Sequence, residues 1–386
     1  MDKTLDTVDM DADELLQRYA AGERNFNRAN LNGVDLSGAN LSGANFHEGQ
    51  LANANLGGAN LKDVDFSKAK LADTNLGNAD LSGAKLRGAN LLNAGMLNAN
   101  LSNTDLTGAR LSRTDLSSAN LGDADLSDAN LKGAVLQGLR LTKLSGANLV
   151  EANLRGANLS AANLNDVNLV GANLCDVDLS HAEMRDADLS GADLRGAILR
   201  GTDLRGVRLS HAELRDTDMS GVNLKGANLI SASLAGSNLV DAELSDAVLV
   251  NTNLSNANLR RIDLNSANLV EADLRNADLS DASLISADLN GASLDGAELS
   301  RAFLINADLV GANLKGTNML NVNLFRANLS GADLRSANLS YANLSGTSLP
   351  GADLRGANLV EANLKNADLR GADLKGATMP DGTIHD

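Results

Sequence analysis

A leucine recurs at almost every fifth position of the chain, and an alanine stands two places before most of these leucines. Asn or Asp usually separates the two apolar residues, and small or polar residues fill the two places after the leucine. Residues 157–161, which read Ala-Asn-Leu-Ser-Ala, are one copy of this unit. The hydrophobic pattern therefore has a period of five, which belongs to neither a regular helix nor a flat strand.

The period predicts the path of the chain. In an α-helix, leucines five apart would advance by about 140° each time and spread around the whole cylinder. In a flat strand they would point to opposite faces in turn. The unit fits a coil in which Ala157 and Leu159 point inward, Asn158 points outward and the next two residues turn a corner. We therefore predict an all-β solenoid, a parallel β-helix whose core is leucine and alanine.

Rarer residues indicate how many units make one coil. Phe26, Phe46 and Phe66 occupy leucine positions and lie 20 residues apart. A column of basic residues directly after the leucine has the same spacing in multiples of 20: Arg155, Arg195, Arg215, Arg275, Lys315, Arg335, Arg355 and Lys375. Four pentapeptides per coil would stack each set on one side, so the predicted β-helix is quadrilateral.

The flanking segments differ from the repeat. Residues 1–10 are polar and are expected to be disordered. Residues 11–22 predict a capping helix, with Asp11 and Glu14 in capping-box spacing, an apolar side of Leu15, Leu16 and Tyr19, and Gly22 as its stop. We expect this helix to cover the first coil, whose open strand edges and core leucines would otherwise be exposed.

The pentapeptides form two arrays, at 23–136 and 144–379. Between them the step from Leu136 to Leu144 is eight residues instead of five. We interpret residues 137–143 as a bulge of three extra residues at one corner; a hinge between two tubes is the alternative. Residues 380–386 form a C-terminal tail.

Composition narrows the functional classes. There is no apolar run long enough for a membrane span and no basic leader, so a cytoplasmic protein that does not bind a membrane is expected. Cys175 is the only cysteine, and the four histidines form no ligand cluster with it, so neither a metal nor another cofactor is expected. Because the predicted core leaves no cavity, we do not expect an enzyme. The net charge of −16 argues against direct nucleic-acid binding.

The recurring Ala-(Asn/Asp)-Leu-x-x unit, as in Gly-Ala-Asn-Leu-Ser at 38–42 and Gly-Ala-Asp-Leu-Arg at 351–355, resembles the pentapeptide-repeat family. The resemblance covers about nine-tenths of the chain and implies a right-handed quadrilateral β-helix. It also implies two kinds of activity. Some members act as DNA mimics that bind DNA gyrase and protect it from quinolones, and others act in bacterial cell differentiation through protein contacts.

Outward residues offer one candidate binding surface. Ile285, Ile305 and Phe325 follow core leucines in three successive coils, with Phe303 beside them and Leu320 and Tyr341 at the adjacent corner. Exposed apolar clusters of this kind often mark partner sites. We therefore expect a non-enzymatic scaffold that binds a protein partner of unknown identity through these six residues. The alternative is a gyrase-binding DNA mimic, although basic residues alternate with acidic ones such as Asp273, Asp333 and Asp353.

The C-terminal end offers a second candidate. No amphipathic helix follows Met379 to cover the last coil. Either Ile384 folds over this end, or two molecules pair end to end and cover Leu359, Leu364, Leu369 and Leu374 mutually. We expect a tendency to form a homodimer through this end.

Overall fold

The computed structural model describes residues 8–126, 128–136 and 144–386. The chain divides into two compact units, Met1–Asp188 and Leu189–Asp386. The described part contains one α-helix, α1 (Ala12–Ala20), between two short strands, β1 (Val8–Asp9) and β2 (Ala29–Asn30), which pair in parallel. Both units otherwise consist of single-residue bridges separated by turns, and these bridges are parallel except for one at the C-terminal tail.

Helix α1 begins and ends close to its predicted bounds. Asp11 caps it by accepting a hydrogen bond from the Glu14 amide at 2.9 Å. Leu15 is fully buried and the Tyr19 hydroxyl donates to the carbonyl of Ser42 at 2.9 Å, whereas Leu16, which was predicted to be on the apolar side, is exposed. The expected disorder of residues 1–10 is wrong for residues 8–10, because β1 pairs with β2; residues 1–7 lie outside the described residues.

The bridges confirm a coil of four pentapeptides. In the regular coils the outward residue between Ala and Leu pairs with the residue 20 positions later, as Asn40 does with Asn60. The rings of Phe26, Phe46 and Phe66 stack with centroids 5.5 and 5.3 Å apart. The pattern is a β-helix-like solenoid within each unit.

The core contains almost only leucine and alanine. Ala157 and Leu159 are 1% and 0% exposed. Where Thr or Ser replaces the inward alanine, its hydroxyl donates to a leucine carbonyl, as Thr74 does to Leu51 at 2.9 Å. Among the described residues no buried side-chain nitrogen or oxygen lacks a hydrogen-bond partner.

Every amide of a regular pentapeptide has an acceptor. In residues 329–333, two amides donate to the next coil, one to the preceding coil and one across the corner turn, at 2.6 to 3.1 Å. The fifth amide, that of Ser330, donates to the Oδ1 atom of Asn328 at 3.2 Å. Buried or partly buried amides need such acceptors, so the Asn or Asp before each leucine has a structural role.

The second residue after the leucine has a left-handed backbone. Its φ is +67° at Gly156, and it remains near +57° where other residues occupy the position, as at Ala161 (+56°) and Arg301 (+58°). Glycine adopts this conformation without steric cost, whereas a Cβ atom makes it unfavourable by about 1–2 kcal/mol. Glycine and Asn/Asp are therefore frequent at this position.

The prediction that residues 137–143 add three residues to a coil is wrong. These residues lie outside the described part, but Asn130 pairs with Asn148 and Val135 with Asn153, an advance of 18 residues instead of 20. The coil across the break is therefore two residues shorter than a regular coil. We predicted three extra residues because we assumed that every step from one core leucine to the next covers one side of the coil.

The C-terminal tail turns back on the last coil. Thr378 and Ile384 pair in an antiparallel bridge, and the amide of Gly376 donates to the His385 carbonyl at 2.7 Å. Two arrangements were expected for this end, a tail that folds over it or two molecules that pair end to end. In the structure the tail pairs with its own coil. Ile384 nevertheless remains 62% exposed.

Two alanine-to-glycine substitutions separate the inward and corner positions. Ala161→Gly should leave the free energy of unfolding unchanged or raise it by up to about 1 kcal/mol, because the left-handed strain disappears. Ala157→Gly should lower it by roughly 1.5 kcal/mol, because a buried methyl group is lost and backbone entropy rises. Urea denaturation followed by circular dichroism measures both; equal destabilisation would contradict the assignment of the two positions.

Candidate functional site

Most outward asparagines belong to the fold and not to a binding site. Besides accepting the amide two residues later, they hydrogen-bond to one another between coils, as when the Asn343 side chain donates to Asn323 at 3.1 Å. Asn158, which the sequence predicts to point outward, accepts both the amide and the hydroxyl of Ser160, at 3.0 and 2.6 Å.

In the second unit the arginines of the basic column pair with the acidic residues two positions before them. Arg275 donates two hydrogen bonds to Asp273, at 2.8 and 2.6 Å. The same Asp-Leu-Arg fork occurs at 193–195, 203–205, 333–335, 353–355 and 368–370. The hydrogen bond from Arg275 holds the pKa of Asp273 below its ordinary value, and Arg335 does the same for Asp333. These carboxylates are therefore ionised and already engaged at neutral pH.

Three of the six predicted site residues form a column on one corner of the second unit. The amide of Ser286 donates to the carbonyl of Ile305 at 2.9 Å, and that of Asn306 donates to Phe325 at 3.0 Å. Ile285, Ile305 and Phe325 thus occupy successive coils, which pack about 4.8 Å apart. Ile285 is exposed, while Ile305 and Phe325 are partly exposed.

Phe303 lies on the face next to this column and is 47% exposed. It pairs with Ser283 in one neighbouring coil and with Asn323 in the other. Phe303 occupies the slot where an Asn or Asp side chain would accept the amide of Ile305, and a phenyl ring has no acceptor for that amide. An aromatic ring here is therefore unfavourable for the coil itself, and this signal was available in the sequence.

The remaining two residues lie at the opposite corner of the same face. The Leu320 carbonyl accepts the Arg301 amide at 2.9 Å, which places Leu320 and Arg301 in adjacent coils. Tyr341 has a left-handed φ of +61° and is 57% exposed. We call Ile285, Phe303, Ile305, Leu320, Phe325 and Tyr341 the apolar patch.

The C-terminal edge of the apolar patch is positively charged. The guanidinium of Arg326 lies over the Phe325 ring, 4.9 Å from its centroid. The two residues line a shallow depression with Ser345, Gly346, Asn363, Lys365 and Asn366. An apolar partner surface with nearby carboxylates would suit this edge.

The predicted dimer end is only partly covered. Leu359 is buried, whereas Leu364, Leu369, Leu374 and Met379 are partly exposed beside the exposed Ile384. Leu364, Leu369, Leu374 and Met379 occupy core positions of the last coil described, and Leu359 lies one coil before Met379. The end therefore presents partly exposed apolar side chains, while the tail pairs with one side of the last coil.

Sequence reasoning missed other exposed apolar residues. Ile198 is 45% exposed and, like Phe303, occupies the slot before a core leucine, and Leu97 is 46% exposed on a corner of the first unit. They could have been found by listing every departure from Asn, Asp, Ser and Gly at outward slots. The described residues contain no group of three or more His, Cys, Asp or Glu that could hold a metal ion. Nor does any described helix have the length and apolar character needed to span a membrane.

The family model for pentapeptide repeats (8 copies) matches the chain in overlapping segments that together cover residues 25–94 and 96–376. The chain belongs to the pentapeptide repeat family. No curated protein matches it. Since the coil geometry and the family model agree, the family assignment extends over both units.

Several solved pentapeptide repeat proteins are similar to the chain. HetL from Nostoc sp. strain PCC 7120, which is involved in heterocyst differentiation regulation, is 37% identical over 64% of this chain and 92% of its own, with a TM-score of 0.27. A pentapeptide repeat protein from the Arabidopsis thaliana thylakoid lumen is 32% identical over 26% of this chain and 66% of its own, with a TM-score of 0.20. QnrB1, a plasmid-mediated fluoroquinolone resistance protein, is 17% identical over 61% of this chain and 90% of its own, with a TM-score of 0.32.

The paired carboxylates predict a dependence of stability on pH. A lowered pKa in the folded state stabilises the fold above the ordinary aspartate pKa of about 3.9, and this contribution is lost as the pH falls through the folded value. Asp333→Asn combined with Asp353→Asn keeps the Oδ1 acceptor but removes the ion pairs with Arg335 and Arg355. The melting temperature of the variant should fall less than that of the wild type when the pH is lowered from about 7 to about 3.

The control makes the same change at Asp288 and Asp308, neither of which forms an ion pair with a described residue. Thermal denaturation followed by circular dichroism measures all three proteins. If the control variant reduced the pH dependence as much as the test variant, the arginine pairs would not be its cause.

Proposed function

We propose that this pentapeptide repeat protein is a non-enzymatic scaffold that binds a protein partner through the apolar patch. The observation that carries the proposal is Phe303, an exposed ring in a slot where the coil is stabilised by Asn or Asp. A residue that the fold does not favour needs another role. We further propose a right-handed winding, a capping role for α1 and a cytoplasmic location.

The neighbours of Phe303 support the same surface. Ile285, Ile305 and Phe325 add apolar area along one corner, and Tyr341 adds a second exposed aromatic ring across the face. Aromatic side chains surrounded by polar residues are typical of the centre of a protein interface. Asn323 and Asn343 close the face toward the C-terminal coils with hydrogen-bonded amides.

The substitution Phe303→Asn tests the proposal because binding and stability should change in opposite directions. Asn would supply the acceptor for the Ile305 amide, so the free energy of unfolding should stay equal or rise by up to about 1 kcal/mol. Capture of the partner should fall at least about tenfold, the loss expected for a central aromatic contact. Affinity capture on the full chain with quantitative mass spectrometry identifies the partner, and urea denaturation gives the stability.

Ile198→Asn is the matched control, because Ile198 has the same slot and nearly the same exposure on a neighbouring side of the second unit. It should leave capture of the same partner unchanged. A partner retained equally by wild type and Phe303→Asn would show that the apolar patch is not the binding surface.

The alternative function is binding to DNA gyrase as a DNA mimic, which the net charge of −16 favours. The paired arginines weigh against it, because a mimic of DNA phosphates needs carboxylates whose charge is not already neutralised. A supercoiling assay with purified gyrase separates the two functions. Inhibition that persists in Phe303→Asn would support the alternative and contradict the apolar patch.

We also propose that the C-terminal end forms a homodimer. The partly exposed Leu364, Leu369, Leu374 and Met379 lie together with Ile384 on a surface that a second copy would cover. Light scattering at high micromolar concentration should give twice the monomer mass. Ile384→Glu should restore the monomer, since it places a charge on the exposed end without disturbing a buried position. Ile285→Glu, on the apolar patch, should remain dimeric; a monomeric wild type would contradict the proposal.

A further inference from the structure

The basic residues of the two units are used differently. In the second unit, many arginines form ion pairs: Arg195, Arg200, Arg205, Arg215, Arg260, Arg261, Arg275, Arg301, Arg335, Arg355 and Arg370. In the first unit, the basic residues between 62 and 132 are all exposed, and none forms an ion pair with a described residue: Lys62, Lys68, Lys70, Lys85, Arg87, Arg110, Arg113 and Lys132.

Six of these eight cations lie on one side of the first unit and its two corners. Lys70 and Arg110 belong to one column of bridges, on either side of Asn90. At the corner before this column, the Lys68 amide donates to the Arg87 carbonyl at 2.9 Å. At the corner after it, Arg113 and Lys132 occupy adjacent coils, since the Arg113 amide donates to the Lys132 carbonyl at 3.0 Å. We call these six residues the basic side.

The centre of the basic side contains no carboxylate. Its column of face residues is Asn30, Gln50, Lys70, Asn90, Arg110 and Asn130. Of the carboxylates at its corners, Glu48 pairs with Arg28 at 2.8 Å, Asp73 accepts a hydrogen bond from Asn93 at 3.1 Å, and Asp128 lies beside the last described coil before the break.

A depression runs along the corner before the column. It is lined by His47, Ser67, Lys68, Arg87, Gly88, Thr107, Gly108 and Asp128. Gly88 and Gly108 carry no side chain, and the stem of Lys68 passes over Gly88, where a Cβ atom would lie 3.8 Å from its Cγ. Lys68 and Arg87 therefore border an open groove, with Asp128 at its far end.

We propose that the basic side binds an acidic polypeptide segment. Six exposed cations without ion pairs on neighbouring coils create a local positive potential, which acts within about 10 Å at moderate salt. This surface belongs to the first unit and is separate in sequence from the apolar patch, so the proposal does not depend on the proposed function.

A protein segment fits better than a nucleic acid. A duplex carries one negative charge per about 1.7 Å over its whole length, and the chain as a whole is negatively charged, with a net charge of −16. A short acidic segment avoids that repulsion because it extends little beyond the basic side. Single-stranded nucleic acid is usually held by exposed aromatic rings, whereas Phe46 and Phe66 of this unit are fully buried.

A fluorescein-labelled decaglutamate peptide is the probe, and fluorescence polarisation with the full chain at low salt is the measurement. The wild type should bind, and binding should weaken as sodium chloride is raised. Lys70→Gln combined with Arg87→Gln and Arg110→Gln should lower the affinity at least about tenfold, since three charge contacts are lost. The control, Arg195→Gln combined with Arg275→Gln and Arg335→Gln, should leave it within about twofold, because those arginines are held by aspartates.

Circular dichroism and gel filtration establish that each variant is folded. No binding of decaglutamate by the folded wild type would overturn the proposal, as would an equal loss in the control variant. Tighter binding of a single-stranded or duplex oligonucleotide than of decaglutamate would also overturn it, in favour of a nucleic-acid surface. None of these outcomes involves Phe303, so they are distinct from a failure of the apolar patch.

Discussion

The hydrogen bonding between successive coils constrains every other feature of the molecule. Three of the five amides in a regular pentapeptide donate to a neighbouring coil, one closes the corner turn, and one donates to the side chain of Asn or Asp. One pentapeptide alone buries too little apolar surface to offset the ordering of five residues, so each coil depends on its neighbours. Leucine and alanine fill most of the inward positions of such a stack, and Val or Thr takes the place of alanine in some units, as at Val64 and Thr74.

The same constraint determines which outward positions can carry function. The slot before the leucine supplies an acceptor, and the second residue after it must have a left-handed backbone. Only the first residue after the leucine is free of both requirements, and Ile285, Ile305, Phe325 and Arg87 all occupy it. Residues such as Phe303 and Lys70 are informative for the opposite reason, because they occupy the constrained slot without providing the usual Asn or Asp oxygen.

Much of the fold could be predicted from the period of five and from the rarer residues. The 20-residue spacing of Phe26, Phe46 and Phe66 correctly gave four pentapeptides per coil. The register across residues 137–143 could not be obtained in this way, because leucine spacing does not reveal how many sides a step covers. The pairing of Asn130 with Asn148 and of Val135 with Asn153 shows that the coil is two residues short.

The candidate surfaces were predictable to different degrees for a geometric reason. The apolar patch has a column, Ile285, Ile305 and Phe325, whose members share one slot at intervals of 20, so the sequence alone groups them. The basic side combines three slots: a left-handed corner at Lys68, a face position at Lys70 and a free corner at Arg87. No single column contains this cluster, and the decisive contrast with the second unit, where most arginines form ion pairs, depends on side-chain contacts. In a solenoid of this kind, the charge of the outward residues therefore has to be assessed for each side of the coil separately, together with the ion pairs on that side. A net charge of −16 conceals a surface of opposite sign.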